Sequence, residues 1–567
     1  MTSMSIEKYR AYPRIELEHR TWPDKSITKA PIWCSVDLRD GNQSLKTPMN
    51  LEEKLEFFEL LVKIGFKEIE VGFPSSSETE FEFVRTLIED NLIPEDVTIQ
   101  VLTQSRAHLI EKTFEAIEGA KRVIFHLYNS TSTLQRQVVF KMNRREIIEL
   151  AIEGTRQIKK LAPKEKTSDF VFQYSPESFT GTELDFSLDI CQAVMDIWNP
   201  TKKHKAILNL PATVEMSTPN LYADMIEWFG KHYKNRDSII ISVHTHNDRG
   251  TGVAATELAL MAGADRVEGT IFGCGERTGN VDIVNLALNL FSQGVDPKLD
   301  FSDINRVATI YQKCTNMPIH PRHPYVGELV YTAFSGSHQD AIKKGMDVYE
   351  TQNEGLWAVP YLPIDPEDVG RTYKRIIQIN SQSGKGGVAY ILEKEFGFKL
   401  PKAMHPEFGR IIQRVVEKSG HGIRPNQIFE NFQKEYLDIS TPISLKSCEI
   451  KTKDEITKVK AQLVYNDTDL TVKGEGNGPL DALGNGLKKA GIAGFRLVTY
   501  TEHALHQTTS SSAVSYIGLE LGDSVFYGVG IDPNIGIASF RAMISALNRA
   551  MQCKQQQVDS NSAVVVN

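Results

Sequence analysis

The chain has little that would direct it to a membrane or to a nucleic acid. None of its apolar runs approaches the roughly 18 residues that a membrane-spanning helix needs. The net charge is −8, which does not suggest a nucleic-acid-binding surface. The N-terminal segment carries acidic residues and lacks an apolar core, so it resembles neither a secretory signal nor a typical transit peptide. We therefore expect neither a membrane nor a nucleic-acid partner.

Cysteine is also scarce, and its spacing excludes two further classes. The six cysteines are scattered, and no two form a Cys-x-x-Cys pair. This pattern argues against both a disulfide framework and a zinc knuckle, and it favours reduced thiols in a cytoplasmic protein. With 567 residues the chain is long enough for two or three domains.

Strand-like apolar runs alternate with helix-period segments over the first half of the chain. The eight runs are Ile32–Leu38, Glu68–Phe73, Thr98–Thr103, Val123–Tyr128, Asp169–Ser175, Ile207–Pro211, Ile239–Thr245 and Arg266–Phe272. Eight βα units in about 260 residues match the size of a (β/α)₈ TIM barrel. A doubly wound sheet is the alternative, but the Gly-x-Gly-x-x-Gly expected after its first strand is absent. The sequence therefore predicts an α/β protein with a barrel.

Helix boundaries are marked by capping residues. In the first helical segment Asn50 is a candidate N-cap and Gly65 a candidate C-terminal stop. The segments 143–160 and 251–264 show the same helical period.

Composition divides the chain into five predicted parts. They are an N-terminal arm (1–30), a barrel domain (31–325), a helical linker richer in Pro, Gly and His (326–435), a C-terminal module (436–553) and a disordered tail (554–567). The module contains a repeat, because Gly474 and Gly476 before Pro479 are matched by Gly528 and Gly530 before Pro533. Two copies of strand–strand–helix indicate a pseudo-symmetric α+β fold. The paired glycines are either simple turns or part of a ligand or subunit interface.

Polar residues stand where several of the predicted strands end. These residues are Arg39, Asp40, Glu177, His244, His246 and Asn280. Since barrel enzymes keep their chemistry at the carboxyl ends of the strands, we expect these side chains to converge.

His244 and His246 form the sharpest metal motif. Residues i and i+2 of a strand point the same way, so both imidazoles can bind one ion. Asp40 would supply a carboxylate and Asn280 a carbonyl oxygen. Such a site with open positions suits Mg²⁺, Mn²⁺, Zn²⁺ or Fe²⁺, and a chelating substrate can occupy the open positions.

Arg39 has two interpretations. It can form a surface ion pair with Asp40, or its guanidinium can hold a carboxylate and stabilise an enolate oxygen.

The loop Gly273–Asn280 lacks the Lys-Ser/Thr of a phosphate-binding P-loop, so we interpret its glycines as a tight turn.

Five strings together resemble the 2-isopropylmalate synthase family, in its longer, second type, over residues 5–553. The strings are Asp37–Gln43, Leu210–Glu215, His244–Asp248, Gly275–Asn280 and Phe334–Asp340. Related barrels include homocitrate synthase, citramalate synthase and hydroxymethylglutaryl-CoA lyase. Asn42, where the shorter relatives carry Glu, favours the long type.

The resemblance implies a Claisen-type condensation of acetyl-CoA with 2-oxoisovalerate, which gives 2-isopropylmalate for leucine synthesis. It implies a divalent metal, Mg²⁺ first with Mn²⁺ or Zn²⁺ as alternatives, and K⁺ as a candidate activator. The implied metal ligands are Asp40, His244, His246 and Asn280. The implied substrate contacts are Arg39, His126, Ser175, Glu177 and Thr213.

The resemblance also implies a homodimer inhibited by leucine. His338 and Tyr361 match residues that the second subunit contributes to the active site in this family. His338 is the candidate base, with Glu177 as its partner or as an alternate base. Tyr361 is the candidate proton donor or water-positioning group. The implied effector region surrounds Gly474, Gly476, Gly528 and Gly530. The arm is a candidate for crossing between subunits.

Other functions stay open at this point. Homocitrate or citramalate synthase is the runner-up, and the keto-acid pocket would discriminate between them. Aldol cleavage as in the lyases is disfavoured by the C-terminal module. A leucine-binding paralogue with an inactive barrel is disfavoured by the complete set of Arg39, Asp40, Glu177, His244 and His246.

Overall fold

The protein is described from a computed structural model that comprises two compact units. The described residues are 5–162, 169–333, 335–352, 355–371, 385–419, 423, 425–492, 494–505 and 512–564. The first unit contains Met1–Val330 and Ile364–Arg371, and the second contains Tyr331–Pro363 and Thr372–Asn567. The division after Val330 lies close to the predicted end of the barrel domain, whereas most of the predicted linker shares the second unit with the C-terminal module.

The first unit is a closed barrel of eight parallel strands, which confirms the predicted fold. The strands are β1 (Ile32–Ser35), β2 (Glu68–Gly72), β3 (Thr98–Gln104), β4 (Arg122–Ser130), β5 (Asp169–Glu177), β6 (Ala206–Ala212), β7 (Ile239–Thr245) and β8 (Arg266–Gly269). Each strand pairs with the next, and β1 pairs with β8, where Trp33 lies opposite Val267. This closure excludes the doubly wound sheet.

Helices connect the strands and continue after β8. They are α1 (Leu51–Ile64), α2 (Glu78–Glu89), α3 (Ala107–Ala116), α4 (Thr133–Gln135), α5 (Arg144–Leu161), α6 (Leu184–Trp198), α7 (Pro219–His232), α8 (Gly252–Met261), α9 (Ile283–Ser292) and α10 (Ile304–Thr315). The predicted caps of α1 are confirmed: Asn50 and Glu53 form a capping box, and Gly65 ends the helix at φ 113°.

The strand that precedes Arg39 is shorter than predicted. β1 ends at Ser35, and Asp37–Gly41 form one π-helical turn in which the amides of Asp40 and Gly41 donate to the carbonyl of Val36. The turn forms because the buried carboxylate of Asp37 accepts hydrogen bonds from the Ser35 hydroxyl and the Ile271 amide. Arg39 and Asp40 therefore stand on a turn rather than on a strand.

The N-terminal arm packs against α7 of its own chain. Arg20 donates to both oxygens of Asp224 at 2.6 and 2.7 Å, and the Trp22 indole donates to the same carboxylate at 2.8 Å. The Thr21 amide donates to Glu227 at 3.0 Å. These contacts give residues 20–22 a place against α7 of the same chain, and the crossing of the arm between subunits stays a prediction.

Replacing Asp224 with Ala is expected to release the arm. The change removes one buried acceptor shared by three donors and leaves the Trp22 indole unpaired, at a cost of about 1–3 kcal/mol. Limited proteolysis of residues 5–30 should become faster, and the thermal midpoint should fall. Asp237→Ala, which removes an exposed ion pair with Lys202, should change neither; equal sensitivity of the two variants would contradict a docked arm.

Within its described residues, the second unit begins with four helices. They are α11 (Gly336–Gln352), α12 (Lys385–Phe396), α13 (His405–Ser419) and α14 (Pro425–Tyr436). An apolar core joins the last three of these helices to the final sheet of the chain, with Phe408 and Phe432 on the helices and Val514 and Val529 on the strands. The linker helices and that sheet therefore share one core.

The C-terminal module consists of two similar halves, each a three-stranded antiparallel sheet with a helix. The first half is β9 (Ile443–Lys453), β10 (Ile456–Tyr465), β11 (Thr468–Gly476) and α15 (Pro479–Lys489). The second half is β12 (Arg496–Ala504), β13 (Ala513–Leu521), β14 (Ser524–Asp532) and α16 (Ile535–Val564). The predicted α+β repeat is confirmed, with three strands per copy rather than two.

The end of the chain differs from the predicted disordered tail. The backbone of α16 stays helical through Val564. Lys554 and the three glutamines at 555–557, which open this segment, are good helix formers and continue the packed helix into it. Within the ranges described above, no helix is both long and apolar enough to cross a membrane.

Candidate active site

A cavity of about 350 Å³ opens at the carboxyl ends of the barrel strands. Its lining includes Arg39, Asp40, His126, Ser175, Glu177, Thr213, His244 and His246. The structure thus brings together the predicted barrel residues, as the parallel topology requires. A larger cavity, of about 660 Å³, lies beside Phe114 and Phe170 and contains none of the predicted residues.

Asp40, His244 and His246 form a buried cluster at the floor of this cavity. Asp40 Oδ2 lies 3.5 Å from His244 Nε2 and 3.8 Å from His246 Nε2. One ligand atom from each of the three residues lies within 4.8 Å of the others. The spacing allows all three atoms to bind one ion.

The electrostatics of the cluster favour a cation. Burial would raise the pKa of Asp40, but the Arg39 guanidinium and the two imidazoles hold it well below its usual range. Burial would lower the pKa of His244, yet the neighbouring carboxylates of Asp40 and Glu268 raise it to about 10. Burial and the neighbouring His244 lower the pKa of His246 to about 4. The two carboxylates therefore stabilise a positive charge at this point, which a proton or a metal ion can supply.

Unused ligand atoms support a metal ion. Among the residues that the structure describes, the buried Oδ2 of Asp40 has no hydrogen-bond partner. Leaving such an acceptor buried and unpaired costs free energy unless a ligand satisfies it. The residues present therefore fit a divalent cation.

Asn280 reaches the cluster from the loop after β8. Its Oδ1 lies 2.8 Å from His244 Nε2, and its amide donates to the carbonyl of Cys274 at 2.9 Å. Gly279 has φ 92°, and a Cβ there would lie 1.9 Å from the Gly273 carbonyl. The glycines thus form a tight turn that carries Asn280 to the site.

Arg39 is only slightly exposed and is not part of a surface ion pair. Its Nη1 donates to Asp40 at 2.6 Å, its Nε donates to Glu70, and its side chain is 11% exposed. Burial opposes its charge, but Glu70 and Asp40 raise the pKa of Arg39 above its usual value. The guanidinium is therefore a fixed positive charge at the cavity wall.

His126 and Ser175 form a pair in the lining of the same cavity. His126 Nε2 lies 2.6 Å from Ser175 Oγ, which also accepts a hydrogen bond from Asn209 at 3.1 Å. Thr213 Oγ1 accepts from the Ser178 amide at 2.9 Å, and its hydroxyl proton has no acceptor among the residues that the structure describes. Glu177 accepts a hydrogen bond from Ser130 and is half-buried. These groups line the cavity with several donors and one carboxylate.

A layer of buried polar residues below the cavity was missed by the sequence analysis. This polar floor consists of Glu70, Gln100, Gln173, Asn209, Arg266 and Glu268, all at most 2% exposed. Gln100 donates to Glu70 and Glu268, and Arg266 donates to Glu268 and Gln100. The available signal was a polar residue inside each of five apolar strands, with two such residues, Arg266 and Glu268, in β8.

His338 and Tyr361 lie together in the second unit. Their rings stack with centroids 3.9 Å apart, His338 is exposed, and Tyr361 is 61% exposed with a left-handed φ of 66°. Phe334 of the same motif lies outside the described residues. The pair is an exposed, polar aromatic surface, and its catalytic role stays a prediction.

The four repeat glycines have a packing role. A Cβ at Gly474 would lie 1.9 Å from the Ala482 carbonyl of α15, and a Cβ at Gly530 would lie 2.2 Å from the Ala538 carbonyl of α16. Gly476 and Gly528 make equally close approaches to the same two helices. They are therefore required for strand–helix contact, and their part in effector binding stays a prediction.

Comparison with known proteins matches three consecutive parts of the chain to family models. Residues 30–310 match the HMGL-like family, residues 328–393 the alpha-isopropylmalate synthase post-catalytic domain-like family, and residues 422–551 the LeuA allosteric (dimerisation) domain.

Curated relatives match the chain over nearly its full length. The chain is 56% identical to 2-isopropylmalate synthase of Clostridium acetobutylicum, covering 96% of this chain and 100% of the relative. It is 55% identical to that of Acetoanaerobium sticklandii, covering 97% and 98%, and 54% identical to that of Pseudomonas fluorescens, covering 96% and 97%.

Proposed function

The chain belongs to the 2-isopropylmalate synthase family, and on that premise we propose which residues carry out its reaction. The reaction condenses acetyl-CoA with 2-oxoisovalerate and hydrolyses the thioester, so that 2-isopropylmalate and CoA are released. The chief support is 53–56% identity over nearly the whole chain to curated relatives of that name. Homocitrate synthase, citramalate synthase and an inactive paralogue have no comparable support.

Asp40, His244 and His246 would hold the divalent metal ion, with the Asn280 side-chain oxygen as a further ligand. Mg²⁺ is the first candidate because carboxylate and amide oxygens suit it, and Mn²⁺ or Zn²⁺ are alternatives. K⁺ remains a candidate activator. When bound, the ion would polarise the keto carbonyl of 2-oxoisovalerate.

The cavity wall would orient 2-oxoisovalerate. Arg39 points a fixed positive charge at the carbonyl oxygen, which becomes negative as the new carbon–carbon bond forms. Thr213 can donate its hydroxyl proton to the substrate carboxylate, and the His126–Ser175 pair supplies further hydrogen bonds. These contacts favour one face of the keto carbon for attack.

A positioned base must remove a methyl proton of acetyl-CoA, because that proton is weakly acidic. We assign His338 as this base, supplied by the partner subunit, with Glu177 as its orienting partner or as an alternate base. Tyr361 would protonate the new alkoxide or position the hydrolytic water. The exposed stack of the two rings supports this role, since it leaves both polar edges available to another surface.

This assignment makes a homodimer part of the proposal. The match of residues 422–551 to a dimerisation domain supports it. We also propose that the protein acts in the cytoplasm, which is supported by six cysteines that are all free.

The assay that tests the function measures thiol release from acetyl-CoA by the full-length protein with Mg²⁺. It compares 2-oxoisovalerate, 2-oxoglutarate and pyruvate, each with and without leucine. Selective turnover of 2-oxoisovalerate that leucine suppresses is expected. Preference for another oxo acid would contradict the proposed substrate, and no turnover with several metals would contradict an active barrel.

Leucine inhibition is proposed to depend on the tight packing of the C-terminal module, so Gly530→Ala should weaken it. The new Cβ collides with α16 and must shift that helix from β14. Because such coupling is worth about 1–3 kcal/mol, we expect about 5-fold or greater weakening of inhibition, with uninhibited turnover close to that of the unmodified protein.

The matched control is Gly494→Ala, since a Cβ at Gly494 meets no atom within 4 Å among the described residues. Inhibition curves and leucine titrations should be measured for both variants. Unchanged inhibition of Gly530→Ala would contradict the dependence on this packing.

A further inference from the structure

Glu268 on β8 is a fully buried carboxylate to which the proposed reaction gives no role. Its Oε1 accepts hydrogen bonds from Arg266 at 2.7 Å, Gln173 at 2.7 Å and Gln100 at 3.0 Å. Its Oε2 faces His244 Nδ1 at 2.9 Å and accepts from Asn209 Nδ2 at 3.1 Å. The two oxygens thus serve different partners: one is held by the polar floor, and the other contacts the imidazole.

The contact with Oε2 decides which nitrogen of His244 carries the hydrogen. An ionised carboxylate only accepts hydrogen bonds, so His244 Nδ1 must be the donor. With a metal ion bound, Nε2 is then the nitrogen that offers a lone pair, and it faces the two other proposed ligand oxygens, Asn280 Oδ1 at 2.8 Å and Asp40 Oδ2 at 3.5 Å. By contrast, His246 Nδ1 has no partner among the described residues.

Asn209 extends this contact to the substrate pocket. The same amide nitrogen that donates to Glu268 Oε2 also donates to Ser175 Oγ, which contacts His126. One buried carboxylate is therefore connected to a metal ligand on one side and to the oxo-acid pocket on the other.

We propose that Glu268 is a positioning residue that holds His244 in the Nδ1–H form and so presents Nε2 to the divalent ion. This inference rests on the metal site of the proposed function. Carboxylate partners of ligating histidines typically change metal affinity about 10- to 100-fold when they are removed.

Glu268→Gln would reverse the direction of the hydrogen bond between residue 268 and His244 Nδ1, with little change in the shape of the side chain. The three donors that face Oε1 require an acceptor there, so the new amide places its oxygen toward them and its NH₂ toward His244. Asn209 can rotate to accept from that NH₂, since its own Oδ1 lacks a partner among the described residues. His244 Nδ1 then accepts, its hydrogen moves to Nε2, and the ligand atom is blocked.

Glu268→Asp distinguishes the effect of the carboxylate's position on metal binding from the effect of its negative charge. It keeps the negative charge near the ion but is one methylene shorter, so it cannot hold both Arg266 and His244. Gln173→Met serves as the matched control, because it removes one donor to Oε1 and leaves the Oε2 contact intact.

The test is a calorimetric titration of the full-length proteins with Mn²⁺, together with the visible absorption spectrum of Co²⁺ bound to each. We expect the affinity for Mn²⁺ to fall about 10- to 100-fold in Glu268→Gln and at least about tenfold in Glu268→Asp. The affinity of Gln173→Met should stay close to that of the unmodified protein. The Co²⁺ spectrum of Glu268→Gln should resemble that of His244→Ala, because both lose the same imidazole. Thermal unfolding confirms that each variant is folded at the titration temperature.

Three outcomes would overturn the inference. The first is an unchanged affinity of Glu268→Gln for Mn²⁺. The second is an unchanged affinity of Glu268→Asp together with a loss in Glu268→Gln, which would show that only the charge matters. The third is a loss in Gln173→Met equal to that in Glu268→Gln. Failure of the unmodified protein to bind Mn²⁺ would instead overturn the proposed metal site.

Discussion

Replacement of His244 by Ala is expected to lower turnover by at least about 10³-fold, because a metal ion contributes several kcal/mol and each tenfold in rate corresponds to about 1.4 kcal/mol. The variant loses an imidazole that faces both Asp40 and Glu268. It also leaves the Glu268 Oε2 with one donor fewer in a buried position. The rate of thiol release and the number of bound Mn²⁺ ions should be measured together.

The control for this variant is His232→Ala. His232 is an exposed histidine on α7 that stacks on Trp228 with ring centroids 4.2 Å apart, away from the cavity. Its turnover should equal that of the unmodified protein. Full turnover of His244→Ala with a full complement of metal would remove the proposed metal site from the mechanism.

Replacement of Arg39 by Lys is expected to lower kcat by about 10²- to 10³-fold, the usual effect of losing one donor to a developing oxyanion. The guanidinium donates to Glu70 through Nε and to Asp40 through Nη1, and this fork fixes its position. A lysine ammonium keeps the charge but cannot reproduce a planar fork. The loss should therefore appear in kcat more than in the KM for 2-oxoisovalerate.

Arg236→Lys is the matched control for this substitution. Arg236 pairs with Asp265 near the start of β7, and it does not line the cavity. Both variants should be compared in kcat and in KM for each substrate. A kcat of Arg39→Lys within about threefold of the control would contradict transition-state stabilisation by Arg39.

The convergence of the predicted barrel residues could be inferred because it depends on topology. Once eight apolar runs are assigned to parallel strands, the residues at their carboxyl ends must meet at one face. Asp40, His244 and His246 meet in this way without any knowledge of side-chain packing. The His-x-His spacing also predicted that both imidazoles point to the same side of the strand, since alternate strand residues share a face.

The polar floor could not be inferred in the same way. Gln100 alone in an apolar strand reads as an isolated polar group, and its partners Glu70, Glu268 and Arg266 lie on strands far away in sequence. Only the closed barrel shows that these residues satisfy each other. Likewise, the turn at Asp37–Gly41 depends on a hydrogen bond from Ile271, which is 234 residues later.

The repeat glycines show a third limit. Their spacing revealed a duplicated unit, yet the reason for glycine is the contact of β11 with α15 and of β14 with α16. A sequence pattern shows that a small residue recurs, whereas only the structure shows which backbone it approaches.

The polar floor has a consequence for directed evolution of the pocket toward other oxo acids. Residues that share a hydrogen-bond network respond non-additively, with interaction energies of about 0.5–3 kcal/mol between pairs of mutations. Because Asn209 and Glu268 connect the His126–Ser175 pair to the proposed metal ligand His244, combinatorial libraries at these positions will show strong epistasis. Libraries confined to rim positions such as Gln43 and Glu276, which line the cavity outside this network, should give nearly additive changes and a smoother fitness landscape.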